Sequence, residues 1–309
     1  MPGPLPVTIV GGYLGAGKTT LVNHLLRHAD GRRLAVLVND FGELPIDVDL
    51  IEHRGAGVIG IAGGCVCCTY GSDLMAALDA LLAMAPRPDH VLIETSGVAL
   101  PGAVAAGMQL LSSFRLDAVI VLADAETARA HAADRYMGDT ITRQLAAADL
   151  VALNKADLVG DASLAETAAW VAAMAAPGTA IVPCRRAALP PDLVLGPPGG
   201  ARLVLTPPGR HDLVPWDRWQ AELPGPVDAD ALAAALADAG LGLVRAKGIV
   251  DDRAGGRRLV QVVGRRWSVT PLPSEHGPAA DGPARLVAIT AGRPVPREGM
   301  RRAIAAAGG

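Results

Sequence analysis

The residues able to do chemistry crowd into the first half of the chain. Gly12-Tyr-Leu-Gly-Ala-Gly-Lys-Thr19 fits the spacing G-x-x-x-x-G-K-[ST] in full, between an apolar run and a helical pattern. Glycines 12, 15 and 17 let backbone N–H groups, including that of Ala16, fold around phosphate oxygens. The helix that follows adds the partial positive charge of its N-terminus. Lys18 can then reach the β- and γ-phosphates, and the Thr19 hydroxyl can ligate Mg²⁺. A dinucleotide-binding loop would need G-x-G-x-x-G, which is not the spacing here.

A second motif names the base. Asn154-Lys155-Ala156-Asp157 ends the apolar run Leu150–Leu153. The Asp157 carboxylate can accept from both guanine N1–H and the 2-amino group, whereas adenine offers neither donor, so the motif selects GTP. Sites built on such bonds reject analogues lacking them by ~10⁴–10⁵. Between the two motifs, Glu94-Thr-Ser-Gly97 follows the apolar run Val91–Ile93. Glu94 stands where a Mg²⁺-water ligand belongs, and Gly97 can contact the γ-phosphate. Asn39-Asp-Phe-Gly-Glu43 offers Asp40 and Glu43 for sensing Mg²⁺ or orienting the attacking water, and spacing does not choose between them.

Cys65, Cys67 and Cys68 place three thiols in four residues, after Gly63-Gly64. Such neighbours do not bridge each other readily, because a disulfide wants Cα atoms about 5.5–6 Å apart with converging Cβ vectors. Three thiolates form a soft ligand set for Zn²⁺, Cu⁺ or, with less preference, Co²⁺. A tetrahedral site would be left open or completed from elsewhere, which suits transfer better than permanent structure. A redox role for the same thiols, and a buried structural one, stay open at this point. Cys184 stands apart.

These motifs need a frame. Apolar runs at Leu5–Val10, Leu34–Asn39, Val58–Ala62, His90–Glu94, Ala118–Ala123, Leu150–Asn154 and Ala180–Pro183 alternate with helical patterns at Lys18–Ala29, Asp73–Ala85, Gly102–Ser112, Thr140–Ala148 and Leu164–Ala176. Runs apolar on both faces predict parallel strands covered on two sides, hence a doubly wound α/β domain over residues 1–185. The span 186–226 is rich in proline, with 10 of the 24 falling between Pro183 and Pro226, and reads as a linker. Residues 227–309 offer a helix at Asp228–Ala239, strand patterns at Leu243–Val250, Arg258–Val263, Arg266–Thr270 and Arg285–Thr290, and a closing helix at Glu298–Ala306. They predict a smaller α+β domain.

The bulk numbers set limits. Two domains suit 309 residues, and 50% hydrophobic residues with 3% aromatic imply a core of Ala, Val and Leu. A net charge of -3 argues against a chain devoted to nucleic acid. The basic run Arg253–Arg266 alternates with Leu259, Val260, Val262 and Val263, as the solvated face of strands would. No stretch approaches the ~20 apolar residues of a membrane span, and Leu5–Val10 leads into the glycine loop rather than a cleavage site. Neither a membrane nor a nucleic acid is expected as a partner, and a cytoplasmic setting, where thiols stay reduced, follows.

GGYLGAGKTT, NDFGE, GGCVCC, ETSG and NKAD, together and in this order, resemble the CobW-type family of GTPases, implicated in zinc and cobalt handling and cobalamin synthesis. More distantly they resemble the GTPases that help insert nickel into urease and hydrogenase. The Arg245-Ala-Lys-Gly248 segment and following strands resemble that family's C-terminal domain. The resemblance implies that Gly12–Thr20, Thr20 included, binds GTP and that Glu94 belongs to the Mg²⁺ site. It further implies that Asn154, Lys155 and Asp157 read guanine and that Cys65, Cys67 and Cys68 carry the transferred metal to a recipient protein. Departures are Asp40 where many relatives have Glu, Ile181-Val-Pro-Cys-Arg185 in place of a small polar segment, and no His-rich tract. The resulting expectation is a slow GTPase metallochaperone for zinc, or cobalt next. The alternative is a regulatory or redox-sensing GTPase acting through a protein partner.

Overall fold

The computed structural model describes residues 3–29, 31–39, 58–61, 72–196, 215–272 and 282–308. Asp40, Glu43, Cys65, Cys67 and Cys68 lie outside them. The chain divides into two compact units, one comprising Pro4–Ala176 with Ile181–Val194, the other Leu195–Gly309 with short N-terminal and Pro177–Ala180 pieces.

The first unit is a doubly wound α/β sheet. Its strands are β1 (Leu5–Gly12), β2 (Leu34–Asn39), β3 (Val58–Ile61), β4 (His90–Glu94), β5 (Phe114–Asp124), β6 (Leu150–Asn154) and β7 (Ala180–Pro183), in the spatial order β3-β2-β4-β1-β5-β6-β7. The pairings β2–β3, β2–β4, β1–β4, β1–β5 and β5–β6 are all parallel. Val and Ile fill both faces: every residue of β4 and β6 is buried, as parallel strands covered by helices require. The helices are α1 (Lys18–Arg27), α2 (Ser72–Ala83), α3 (Pro101–Met108), α4 (Ala128–Ala132), α5 (Gly138–Ala146), α6 (Asp161–Met174) and α7 (Pro191–Leu195). From β1 the chain builds to one side through β2, β3 and β4, then crosses to β5 on the other. The reversal falls at β1, and open α/β sheets bind ligands at such a point, beyond the carboxyl ends of the strands.

Where elements differ from expectation, each difference has a local cause. β5 starts at Phe114 rather than Ala118 because Arg115 and Asp117, which break the apolar run, pair with each other at 3.2 Å and so tolerate partial burial. At five residues, α4 is too short to declare a helical period. The span 186–226, expected as a linker from its prolines, holds α7 and the strand β8 (Trp216–Glu222). Proline does not prevent either: Pro191 opens α7 where its missing N–H is harmless, and β8 is a proline-free run at a sheet edge.

The second unit is α+β. Its five-stranded antiparallel sheet has the order β11-β10-β9-β12-β8, with β9 (Arg245–Asp251), β10 (Arg257–Val263), β11 (Arg266–Pro271) and β12 (Arg285–Ala291). Helices α8 (Ala229–Leu236) and α9 (Arg297–Gly308) share its core, where Leu232, Leu236 and Met300 meet Val260, Val262 and Leu286. Asp228 caps α8, accepting from the Ala231 N–H at 2.9 Å. Arg257 and Arg258 of the basic run are ion-paired with Asp251 and Asp252 at 2.8 and 3.0 Å. Among the described residues no helix is long and apolar enough to cross a membrane.

Candidate nucleotide site

The parallel register brings the motif residues to one edge. Val10 lies beside Glu94, and Asp124 beside Asn154, so the carboxyl ends of β1, β4, β5 and β6 together form the rim of the site. From β1 the chain turns through Gly12–Gly17 into α1. Gly17 is the N-cap, with φ of 105°, and a Cβ there would sit 2.4 Å from the Asn154 amide nitrogen, so only glycine fits. No acidic residue occupies the first turn of α1, and its positive end is left for an anion.

Thr19 and Glu94, 75 residues apart, meet here. The Thr19 hydroxyl donates to Glu94 Oε1 at 2.7 Å, and the Glu94 carboxylate is 2% exposed at the end of β4. Beside them, the Lys18 ammonium donates to the carbonyl of Tyr13 at 3.3 Å within its own loop. The next segment, Thr95–Leu100, is tied to β1 by the Thr95 N–H on the Val10 carbonyl at 2.9 Å. A Cβ on Gly97 would come within 2.8 Å of the Leu14 nitrogen, so the segment lies directly on the phosphate loop.

The guanine motif is built from three loops at once. Asn154 donates through Nδ2 to the Ala16 carbonyl at 2.9 Å and accepts through Oδ1 from the Ala187 N–H at 2.8 Å. It thus joins the phosphate loop to the turn after β7. Lys155 adopts a left-handed backbone, φ 59°, and its ammonium reaches Asp124 Oδ2 at 2.6 Å. Asp157 stands exposed on the short 3₁₀ turn Ala156–Leu158, where a base can reach it. Cys184 lies beneath, held by its backbone on both sides: its N–H donates to the Leu153 carbonyl and its carbonyl accepts from the Ala156 N–H, at 2.9 and 3.1 Å. Burial, and secondarily the Asp157 carboxylate, push its thiol up to about 12, so it stays protonated and inert.

Lys18, Thr19, Glu94, Gly97, Asn154, Lys155 and Asp157 are therefore gathered on one edge with Gly12, Gly15, Ala16, Gly17 and Thr20. Two residues escaped the sequence reading. Asp124 anchors Lys155, and its signal was an acid closing the apolar run of β5. Gln144 is 1% exposed on α5, and its Nε2 donates to the carbonyls of Gly97 at 3.0 Å and Ala99 at 2.8 Å. Its signal was a polar residue between Ile141 and Leu145, on the buried face of that helix.

The chain matches the family model "CobW/HypB/UreG, nucleotide-binding domain" over residues 6–183 and "Cobalamin synthesis protein cobW C-terminal domain" over residues 216–308. A Sinorhizobium protein named zinc chaperone CobW is 38% identical over 189 residues, 52% of this chain and 53% of its own length. A Pseudomonas aeruginosa protein of the same name is 37% identical over 240 residues, 67% of this chain and 64% of its own. The chain thus spans between half and two thirds of the length of these curated relatives. The solved structure of Zn(II)-bound YjiA GTPase from E. coli covers 99% of both chains at 24% identity, with a TM-score of 0.46. Carrying the phosphate loop, the acid at the end of β4 and the guanine motif within the matched span, the chain belongs to the CobW/HypB/UreG nucleotide-binding domain family.

Proposed function

We propose that this chain binds and slowly hydrolyses GTP, and uses the nucleotide cycle to load a transition metal and pass it to a recipient protein. The observation that carries the reading is the Thr19–Glu94 hydrogen bond at the mouth of the phosphate loop. Two hard oxygens held 2.7 Å apart, with Lys18 alongside, suit Mg²⁺, which takes oxygen ligands and keeps several waters. Thr19 would be its direct ligand and Glu94 would hold one of its waters. When bound, the ion offsets charge on the β- and γ-phosphate oxygens.

The chain's own groups do the rest. Backbone N–H groups of Gly15–Thr20 and the end of α1 receive the phosphates, with Lys18 turning from the Tyr13 carbonyl towards them. Asp157 accepts from guanine, and Asn154 fixes the distance between base site and phosphate loop. Gly97 meets the γ-phosphate, and Asp40 and Glu43 are assigned to the Mg²⁺ shell and the attacking water. No arginine finger is part of this reading, so turnover alone would be roughly 10⁻⁴–10⁻² s⁻¹.

Cys65, Cys67 and Cys68 carry the cargo, zinc first and cobalt next, in the reduced cytoplasm. The names of the relatives favour zinc. GTP shifts the metal site only if its affinities for two states of the protein differ, and by reciprocity metal then shifts GTP affinity by the same factor. The test is a zinc and cobalt titration of the reduced protein, with GDP or a non-hydrolysable GTP analogue, beside a Cys65/Cys67/Cys68→Ser triple variant. Tight binding that depends on nucleotide and vanishes in the variant is the expected result. Equal metal affinity in both nucleotide states would sink the coupling. Failure to bind metal at all, with the thiols oxidising reversibly, would replace it with a redox-sensing GTPase.

A further inference from the structure

The segment Ser96–Leu100 lies against the phosphate loop, and its own hydrogen bonds show how it is held. Ala99 N–H donates back to the Ser96 carbonyl at 3.1 Å, closing a turn. The carbonyls of Gly97 and Ala99 both accept from Gln144 Nε2, which comes from α5, more than forty residues away. Among the described residues, the N–H groups of Gly97 and Val98 donate to nothing in the chain. These facts are linked by the planarity of the peptide. In a trans unit the C=O and N–H point in opposite directions, so drawing the Gly97 carbonyl towards Gln144 turns the Val98 N–H away from α5.

Helix α4 and the start of α5 also hold the phosphate loop. The Tyr13 hydroxyl donates to the sulfur of Met137, just ahead of α5, and the Tyr13 ring lies 5.4 Å from that of His131 in α4. Leu14, next along the loop, touches Gly97. Phosphate loop and turn are therefore registered against one support, and the only polar side chain connecting that support to the turn's carbonyls is Gln144 among the described residues. An apolar residue would fill the same space and leave both carbonyls unpaired.

We propose that Gln144 is the positioning residue of the γ-phosphate contact: it fixes the 97–99 turn so that the N–H groups of Gly97 and Val98 stand ready for the terminal phosphate. This rests on the GTPase reading above. GDP lacks the group that those donors would meet, so Gln144 discriminates GTP from GDP rather than strengthening nucleotide binding in general.

The test compares wild type with Gln144→Met, which keeps length and loses the donor, and Gln144→Glu, which keeps shape and sets lone pairs against the two carbonyls. Affinities for Mg²⁺ with a non-hydrolysable GTP analogue and with GDP are measured by calorimetry, and kcat and KM by phosphate release. Gln144→Met is expected to weaken the analogue about tenfold or more while GDP affinity stays within about twofold, with Gln144→Glu more severe. kcat should fall with the analogue affinity. Both affinities dropping in parallel would reduce Gln144 to a structural prop and overturn the inference, as would a Gln144→Met protein that discriminates like wild type. Gly97→Ala with unchanged analogue affinity would likewise show that the 97–99 turn does not meet the terminal phosphate and would overturn the inference alone, whereas a wild-type protein that binds neither nucleotide would bring down the GTPase reading itself.

Discussion

At the scale of single residues, the proposed reading separates groups that would meet the nucleotide from groups that hold those groups. Asp157 is proposed as one of the first kind, and it stands exposed. Asp157→Asn should weaken GTP about 10- to 100-fold, because a charge-assisted acceptor becomes half donor, and should gain XTP, whose 2-oxo group accepts from the new amide. Fluorescent-nucleotide competition checks both. Cys184 is of the second kind. Its thiol is raised from 9.0 to about 12 in the folded protein by burial and by Asp157. The folded state therefore holds its proton where the unfolded state has lost it. The stability this group confers is whole below pH 9 and is lost as pH climbs towards 12, with a limiting slope of about 1.4 kcal/mol per pH unit. Urea midpoints between pH 8.5 and about 10.5 should fall less steeply in Cys184→Ala than in wild type; identical slopes would contradict the buried thiol.

Elements owe their positions to a few such fasteners. Asn154 ties the end of β6 to the phosphate loop and to the turn after β7 by two buried hydrogen bonds. Asn154→Ala strands the Ala16 carbonyl and the Ala187 N–H and should cost the first unit about 2–4 kcal/mol in denaturant unfolding, more than a surface change of the same size. In the second unit, Asp228→Ala removes the cap of α8 and should cost about 1 kcal/mol, seen in that unit's transition alone. Much of the element pattern was legible in the residues. The strands Leu34–Asn39, His90–Glu94, Leu150–Asn154 and Ala180–Pro183 have the bounds that their apolar runs suggest, and in His90–Glu94 and Leu150–Asn154 burial on both faces is the reason. The start of β5 was not legible, since Arg115 and Asp117 look solvent-facing until their pairing is known. Nor was β8, whose position at the end of a proline-rich span hid a seven-residue run.

At the scale of the whole molecule, each of the two units has buried hydrophobic core of its own among the described residues, and each should answer to its own ligands and mutations. Calorimetry is expected to resolve two transitions, of which a GTP analogue with Mg²⁺ raises only one, by about 2.7 kcal/mol at a concentration near 100 times Kd. A single transition raised as a whole would show that the units unfold as one.

Sequence alone determined what is contiguous. A phosphate loop draws its donors from eight neighbouring residues, and N-K-x-D presents its carboxylate from a single turn, so motif and local backbone suffice. Strand and helix alternation likewise dictated an α/β unit followed by an α+β one. What only the tertiary structure decided is which distant groups complete these pieces. It paired Thr19 with Glu94, set Asn154 between the Ala16 carbonyl and the Ala187 N–H, and buried Cys184 beneath the guanine motif. It also brought Gln144 onto two carbonyls of the 97–99 turn. Each of these joins partners far apart in the chain, 33 or more residues in the hydrogen bonds of Thr19, Asn154 and Gln144, and the directions of their donors and acceptors follow from how the strands register and the helices pack. A chain read in order carries the chemistry of each group, but the partner of a buried hydrogen bond is chosen by the fold.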